Sequence, residues 1–437
     1  MQQTARRVLR QAKDTAQDVF VRRHRPDYQI VLYMGLLMLL GLIIMYAIGP
    51  QRANVLNNAY GTDYYTSMYF FIKQTVSLLL ALVAFVALAI TPFQVLKKNA
   101  GKLVVAGLIV CLILFLTGNV MGLGIAQCSL GACRWFDLGP LGSIQPAEFL
   151  KFGLLIFTAG FLGMRAKQGL VNDLHKTLIP LGVLVLIAIF FVIGLQKDMG
   201  TGIAMMAIIA SIMTVAGVSK KVGLALLGAS VLLGILLIII APHRVERIMT
   251  FLEGDKVSQQ SANDESYHIT HAKIAIGSGG FAGVGIGNSV QATGYLPEAI
   301  NDSVFAIMGE TFGFVGLVII LALFTALLMR LLKIADHLPD LWMKLTVAGV
   351  FGWLAAHVIL NVAAMIGVFP LTGITLPLLS FGGTSMIFIA GALGLAFQLS
   401  RYTIHGPVNK EKAYESLSSR RGVGRSRYTG NRRSPRA

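Results

Sequence analysis

The chain has 437 residues, of which 55% are hydrophobic and only 13% are charged, and its mean hydropathy is +0.71. A soluble protein could not cover its surface with so few polar groups, so this balance excludes a soluble globular fold. Several runs of about 20 apolar residues instead predict an all-α polytopic membrane protein.

The net charge of +17 would suggest nucleic-acid binding if it were spread over a folded domain. Much of the excess lies in a basic lead over residues 1–27 and in a tail over residues 401–437. Such charge is typical of the cytoplasmic side of a membrane and of contact with anionic headgroups, so we predict membrane lipids and no nucleic acid as partners. The lead lacks a small-residue cleavage pattern, so we expect a retained first span, and the Ser-, Arg- and Gly-rich tail predicts disorder.

Ten apolar runs predict ten transmembrane helices, which form one membrane domain over residues 28–400. Their expected bounds are 28–49, 69–92, 103–122, 146–163, 178–195, 200–217, 221–241, 304–332, 342–368 and 376–400. Lysine and arginine residues in the loops after spans two, four, six and eight fall on the same side as both termini. The positive-inside rule therefore places both termini in the cytoplasm.

The largest loop on the outer side runs from about residue 242 to residue 303, between spans seven and eight. It is too long for a simple connection, which favours a functional role. Its glycine-rich stretch from Ala275 to Gly287 matches neither phosphate-binding glycine pattern, so we expect no nucleotide cofactor. A re-entrant or interfacial segment, in which glycines permit close backbone packing, fits this stretch better.

The three cysteines give little chemistry. Cys111 lies inside an apolar run and is expected to act as a small core residue. Cys128 and Cys133 lie in an outer loop, where they could form a local disulfide or remain thiols. Two thiols without a nearby histidine make a poor zinc site.

Ionisable groups in or beside membrane spans are costly, so their positions are informative. Most of the unusual polar residues here lie towards the outer side: Arg134, Glu148, Lys151, Lys197, Asp198, Arg244, Arg247, His357 and Asn361. Each has a structural explanation, such as an i,i+3 ion pair between Glu148 and Lys151 or a helix cap at Asp198. Unrelated structural groups would not all choose one leaflet, so the set predicts a site at the outer face.

Asp302 and Ser303 stand where the N-cap of span eight is expected. A carboxylate there can cap the helix, or it can do chemistry at the mouth of a membrane helix. Glu310 should lie roughly 12 Å deeper along the same helix, where we expect it to support packing or the polarity of a cavity.

These motifs, taken together, resemble the shape, elongation, division and sporulation (SEDS) family, which includes FtsW and RodA, along nearly all of the membrane region. The resemblance is carried by Arg134-Trp, Gln145-Pro-Ala-Glu-Phe-Leu-Lys, Gln196-Lys-Asp-Met-Gly-Thr, the glycine-rich stretch from Ile274, Tyr295-Leu-Pro-Glu-Ala with Asp302 and Gly309-Glu, and Asn361 followed by the segment from Pro370 through Ser380 to Ser385. Leu-Pro-Glu-Ala and the long basic termini favour the FtsW type. The chain departs from the family pattern at His268, where Gln is usual, and at Lys197, where Pro is expected.

The resemblance implies a peptidoglycan glycosyltransferase of the bacterial cytoplasmic membrane that polymerises lipid II at the outer face. It also implies a class B penicillin-binding protein as partner, together with other divisome or elongasome membrane proteins. A lipid-linked sugar diphosphate carries its own leaving group, so one carboxylate base could suffice; we assign it to Asp302, with Glu298 as the nearest substitute.

Charge on the diphosphate needs cations, and the sequence leaves their identity open. Lys151, Lys197, Arg134, Arg244 and Arg247 are candidates, as is a divalent Mg or Mn ion held by carboxylates. Glu148, Asp198, Glu310, His357, Asn361 and Ser380 are expected to bind substrate or to support the site. The alternative functions are a lipid II flippase or transporter and a non-catalytic divisome scaffold.

Overall fold

The computed structural model describes residues 24–239, apart from 130–131, 138 and 140–141, and residues 264–404. Most of the basic lead, the tail after residue 404 and the first part of the large outer loop lie outside these described residues. Arg244 and Arg247 lie there too, so the roles expected of them stay predictions.

The described chain is mainly helical, and its helices follow the predicted order. Their bounds are α1 Tyr28–Tyr60, α2 Tyr69–Ile90, α3 Phe93–Val120, α4 Pro146–Lys167, α5 Leu174–Leu195, α6 Met199–Ala216, α7 Lys220–Ile239, α8 Asp264–Ser278, α9 Val304–His337, α10 Leu341–Met365 and α11 Gly383–Tyr402. Within the described residues, nine of these helices, α1 to α6 and α9 to α11, are long and apolar enough to cross a membrane. The predicted seventh span coincides with the 20-residue α7, so the all-α polytopic fold is confirmed.

Several helix ends differ from the prediction; α3, for example, begins at Phe93, ten residues before the predicted start of the third span. The first span was expected to stop at residue 49, but α1 continues through Pro50 to Tyr60 and ends where Gly61 turns to φ 62°. Its 33 residues extend to about 50 Å, well beyond a hydrocarbon core of about 30 Å, so its last turns stand outside the core. The last helix begins at Gly383, later than predicted, because residues 370–382 form an irregular loop.

Small residues bring the helices close together. A Cβ atom at Gly394 of α11 would lie 2.2 Å from the carbonyl oxygen of Phe85 on α2, so only glycine fits at this crossing. Membrane helices associate through such close packing because lipid gives no hydrophobic drive between them. The α2–α11 contact thus holds the first and last parts of the membrane domain side by side.

α9 is broken near its N-terminal end, where Gly313 takes φ 67° and ψ −168°. The amides of Phe314 and Val315 do not continue the helical ladder; they donate to the carbonyls of Gly280 and Phe281 at 2.9 and 3.2 Å. In return, the glycine-rich segment donates two amides to the carbonyls that the break leaves open in α9, at 2.9 and 3.1 Å. A Cβ at Gly283 would lie 2.2 Å from the Thr311 carbonyl oxygen, which confirms that glycines serve close backbone packing here.

A small antiparallel sheet fills the loop between α3 and α4. Its strands are β1 Ala126–Ser129, β2 Ala132–Asp137 and β3 Ser143–Ile144, in the order β1-β2-β3. A disulfide joins Cys128 to Cys133 across the first two strands, which settles the pairing that the sequence left open. The Thr384 hydroxyl donates to the Ser143 carbonyl at 2.6 Å, so the sheet is also tied to the start of α11.

Candidate functional site

A cavity of about 610 Å³ opens among the ends of α1, α4, α6 and α10, the strands and the loops before α9 and α11. Its lining includes most of the described polar residues that the sequence singled out, namely Arg134, Glu148, Asp198, Glu298, Asp302 and His357. These residues come from five separate stretches of the chain. The structure therefore brings together groups that the sequence grouped only by their expected side of the membrane.

Asp302 lies at this cavity immediately before α9. The N-cap of α9 is Ser303, which makes no side-chain bond to the first turn; its hydroxyl instead donates to the Pro297 carbonyl at 2.8 Å and contacts His268 Nε2 at 2.5 Å. Asn361 of α10 donates to the backbone carbonyl of Asp302 at 2.7 Å. The carboxylate thus stands on a backbone fixed from both sides.

Glu298 lies four residues earlier, exposed and also lining the cavity. It adopts a positive φ of 48°, a backbone region that is costly for a residue with a side chain. Its carbonyl accepts the amides of Asn301 and Ser303 at 2.9 and 3.2 Å, and its carboxylate accepts Asn301 Nδ2 at 2.5 Å. The tight turn sets two carboxylates, those of Glu298 and Asp302, on one cavity wall.

Behind the cavity, Lys151 forms a fully buried ion pair with Glu148 at 2.8 Å, within α4. Lys151 Nζ also contacts His357 Nε2 of α10 at 3.1 Å and lies 5.0 Å from the centre of the Trp353 ring. The ion pair expected from the i,i+3 spacing is present, and it is linked to a second helix. The Lys151 ammonium group is thus satisfied within the protein, whereas Glu148 Oε2 is buried without a hydrogen-bond partner among the described residues.

Arg134 of β2 reaches across to the turn before α6. Its guanidinium donates to the carbonyls of Gln196 and Lys197 at 3.4 and 2.9 Å. Lys197 has a positive φ of 53°, a conformation that the proline expected at this position could not adopt. Asp198 caps α6 by accepting the Thr201 amide at 2.9 Å, as predicted, and it also accepts Gln145 Nε2 at 2.7 Å.

Several predicted site residues support the cavity without lining it. Glu310 is buried and accepts the Ser289 hydroxyl and the Val290 amide at 2.5 and 3.0 Å, so it anchors the end of the glycine-rich segment. The Ser380 hydroxyl accepts the Leu376 amide at 2.8 Å and orders the loop before α11. Lys197 and Asn361 act in the same way, through backbone contacts.

The cavity lining also includes polar residues to which the sequence analysis gave no role, among them Arg52, Gln127 and Gln145. Gln127 of β1 is held by Asp137 of β2; the Gly139 amide and the Gln127 side chain both bond this carboxylate and lower the pKa of Asp137. Arg52 follows an apolar span by only a few residues, and this position was the one sign in the sequence that it could lie at the site.

The cavity combines four carboxylates and a histidine with two arginines. Among the described residues, no group of three or more His, Cys, Asp or Glu side chains is arranged to hold a metal ion alone. A carboxylate at the cavity wall can accept a proton from a hydroxyl group, and arginine can bind an anionic group. The arrangement suits a hydroxyl acceptor and an anionic donor.

Comparison with known proteins gives a match over almost the whole membrane domain. The family model described as "Cell cycle protein" (FTSW_RODA_SPOVE) matches residues 28–405. Stage V sporulation protein E of Bacillus subtilis (strain 168) is 32% identical over 392 residues, which cover 87% of this chain and 99% of that protein. A probable peptidoglycan glycosyltransferase FtsW of Taylorella equigenitalis (strain MCE9) is 32% identical over 369 residues, covering 84% of this chain and 94% of the relative.

Solved structures agree with this match. A chain from a peptidoglycan synthase complex, described as coordinating polymerization and crosslinking, superposes with a TM-score of 0.64 at 26% identity, covering 86% of this chain and 98% of that one. The rod shape determining protein RodA of Thermus thermophilus shares the fold with a TM-score of 0.61 at 23% identity, covering 87% and 98% of the two chains.

Proposed function

Because the chain belongs to the FtsW, RodA and SpoVE family of cell cycle proteins, we propose that it is an FtsW-like peptidoglycan glycosyltransferase that polymerises lipid II into glycan strands. The observation that carries this proposal is the cavity that has the Asp302 carboxylate on its wall. Its polar lining suits sugars and a diphosphate, and the apolar surfaces of the surrounding helices suit polyprenyl chains.

In the proposed reaction, Asp302 is the general base. Its carboxylate takes the proton of the acceptor sugar's 4-hydroxyl as that oxygen forms a bond to the anomeric carbon of the donor. The bond from this carbon to the diphosphate breaks, and the lipid diphosphate leaves with the electron pair. Attack opposite to the leaving group inverts the anomeric centre, and the diphosphate needs no protonation by a second carboxyl group.

The hydrogen bond from Asn361 to the Asp302 carbonyl supports this assignment, because it fixes the base relative to α10. Glu298 is the nearest other carboxylate and is proposed as a contact for the acceptor sugar. We assign Glu148, Lys151 and His357 to positioning, since Lys151 bonds both of the others and all three are buried.

A divalent ion is also part of the proposal. Mg²⁺ is usually held by one or two carboxylates together with substrate phosphates, and not by a full set of protein ligands. Glu298 offers one carboxylate at the cavity, so the donor set fits an Mg²⁺ or Mn²⁺ ion that enters with the diphosphate. Such an ion would neutralise charge on the leaving group.

The orientation with both termini in the cytoplasm puts the cavity at the outer face, and this placement rests on the lysine and arginine residues of the loops. The likeness to a chain of a peptidoglycan synthase complex supports a partner that cross-links the new strands, of the class B penicillin-binding type. Other division or elongation membrane proteins belong to the same proposal.

The test is gel analysis of glycan products from purified protein reconstituted with lipid II, Mg²⁺ or Mn²⁺ and a partner transpeptidase. Wild type is expected to form polymer and a folded Asp302→Asn variant to form none. Asp63→Asn is the matched control, because Asp63 is an exposed carboxylate in the loop between α1 and α2 and does not line the cavity. Asp63→Asn is expected to keep full activity.

Absence of polymer from wild type with the partner present would contradict the proposed function. A lipid II flippase would then show transfer of labelled lipid across vesicles without polymer. A scaffold would show neither activity but would still bind its partner proteins.

A further inference from the structure

Arg52 stands at the cavity on the part of α1 that extends beyond the predicted span. It lies 24 residues after Tyr28, about 36 Å along the helix, which places it past a hydrocarbon core of about 30 Å. Leu56, one turn later, lines the same cavity, so this face of α1 forms part of the wall. Arg52 is therefore a cavity residue at the level of lipid headgroups.

The outer end of α1 is fixed in place. Gln51 Nε2 donates to the Gly287 carbonyl at 3.0 Å, which ties the helix to the glycine-rich segment. A Cβ at Gly294 would lie 3.3 Å from a methyl carbon of Val55, so the chain at Gly294 also packs closely on α1. Arg52 thus lies on a helix end that is bonded to the glycine-rich segment, and the same segment bonds to α9 at its break.

The other cations at the site are already engaged. Lys151 pairs with Glu148, and Arg134 donates to two backbone carbonyls. Among the residues that the structure describes, Arg52 has no hydrogen bond or ion pair, and its Nε is buried without an acceptor. A buried donor that lacks an acceptor is costly, and because Arg52 lines the cavity without a partner among the described residues, its guanidinium is available to an anionic ligand there.

We propose that Arg52 binds a phosphate of the polyprenyl diphosphate on the lipid-linked substrate. This inference rests on the proposed function for the identity of the substrate, but the binding that it predicts can be measured without catalysis. The planar guanidinium matches phosphate oxygens with two parallel hydrogen bonds, which an ammonium group does not offer. The position of Arg52 near the headgroup level agrees with a diphosphate that joins a sugar in the cavity to a chain in the membrane.

The cavity charges show why this arginine matters. Glu148, Asp198, Glu298 and Asp302 line the same space, and an unneutralised diphosphate would be repelled by them. Removing Arg52 leaves Arg134 as the other arginine of the lining. Loss of Arg52 should therefore weaken the binding of the lipid diphosphate and leave the contacts to the uncharged parts of the substrate unchanged.

The experiment measures equilibrium binding of a fluorescent polyprenyl diphosphate to full-length protein in nanodiscs of zwitterionic lipid. Wild type is compared with Arg52→Gln and Arg52→Lys, with polyprenyl monophosphate and phosphatidylglycerol as competing ligands. Lys98→Gln is the control, because Lys98 is exposed near the start of α3, does not line the cavity, and its loss changes the net charge by the same amount.

Arg52→Gln is expected to raise the Kd for the diphosphate about tenfold or more, from the loss of a charged hydrogen bond. Arg52→Lys should fall between this value and wild type, and Lys98→Gln should stay within about twofold of wild type because exposed charges contribute little. Preference for diphosphate over monophosphate should shrink in Arg52→Gln. Competition by phosphatidylglycerol as strong as that by the diphosphate would show a general headgroup site and would overturn the proposal.

The outcomes separate this inference from the proposed function. An unchanged Kd in Arg52→Gln, with polymer still made by wild type, would refute the role of Arg52 alone. If wild type binds the diphosphate, Arg52→Gln does not, and wild type makes no polymer, Arg52 would be supported as the residue that binds the diphosphate and polymerisation would be refuted. Since Arg52→Lys keeps the charge, it also reports binding if the Gln variant fails to fold.

Discussion

The buried pair of Lys151 and Glu148 gives the sharpest test of how this protein is built. Lys151 is 0% exposed and Glu148 is 2% exposed, and Lys151 Nζ also contacts His357 Nε2 and lies over the Trp353 ring. Lys151→Met removes the cation and leaves the Glu148 carboxylate buried without its charge partner. Breaking such a pair costs about 3–5 kcal/mol in other proteins, and we expect a loss of that size.

The double variant Lys151→Met with Glu148→Gln makes the prediction specific. It removes both charges, and replacing a buried pair as a whole is often neutral or stabilising by about 1–4 kcal/mol. We therefore expect the double variant to be more stable than Lys151→Met alone. The assay is the apparent melting temperature of each purified variant in nanodiscs, compared in the order wild type, double variant and single variant.

Two results would refute this reasoning. If Lys151→Met melted at the wild-type temperature, the ion pair would not be a closed structural unit. If the double variant melted below Lys151→Met, the Glu148 carboxylate would be stabilised by other groups. Polymerisation should be measured on the same samples. A double variant that is stable but inactive would show that the Lys151–Glu148 charges are also needed for the reaction.

Three further predictions follow from other parts of the site. Removing the Cys128–Cys133 disulfide with two serine substitutions should lower polymerisation without unfolding the helices, because the hairpin carries Arg134; equal activity of this variant and wild type in gel assays would contradict it. Gly313→Ala should reduce the yield of folded protein on gel filtration, since its Cβ would lie 2.3 Å from the backbone nitrogen of Gly283. The control is Gly61→Ala, at a similar φ of 62° but with open space around it, which should lower the free energy of unfolding by only about 1 kcal/mol. Asn361→Leu should lower the polymerisation rate more than lipid binding, because it frees the backbone carbonyl of Asp302, the proposed base; a variant with a normal rate would exclude this positioning role.

The sequence predicted the membrane helices well because their signal is local. A run of apolar residues must form a helix in lipid, and its length follows from the thickness of the bilayer. The cap at Asp198 and the pairing of Glu148 with Lys151 were likewise predicted from neighbours three residues apart. Even so, the extension of α1 past Pro50 was missed, since a proline after an apolar run usually suggests an end.

What the sequence could not give are contacts between distant stretches. Lys151 and His357 are 206 residues apart, and nothing in either local pattern names the other as its partner. The sequence around Arg52 does not indicate a site, because a single arginine after a membrane span is usually an anchor to headgroups. Only the packed structure shows that its side chain turns to the cavity and finds no acceptor there.

The break at Gly313 separates two helical phases within α9. In a continuous helix, inserting one residue would turn every residue beyond it by about 100°. Here the backbone hydrogen bonds with the glycine-rich segment hold the part of α9 before Gly313 in place, so its register does not depend on the residues of the longer part after Gly313. Substitutions, or the insertion or deletion of a residue, in the part of α9 after Gly313 should therefore change its lipid-facing surface without rotating the first turn of α9 that follows Asp302.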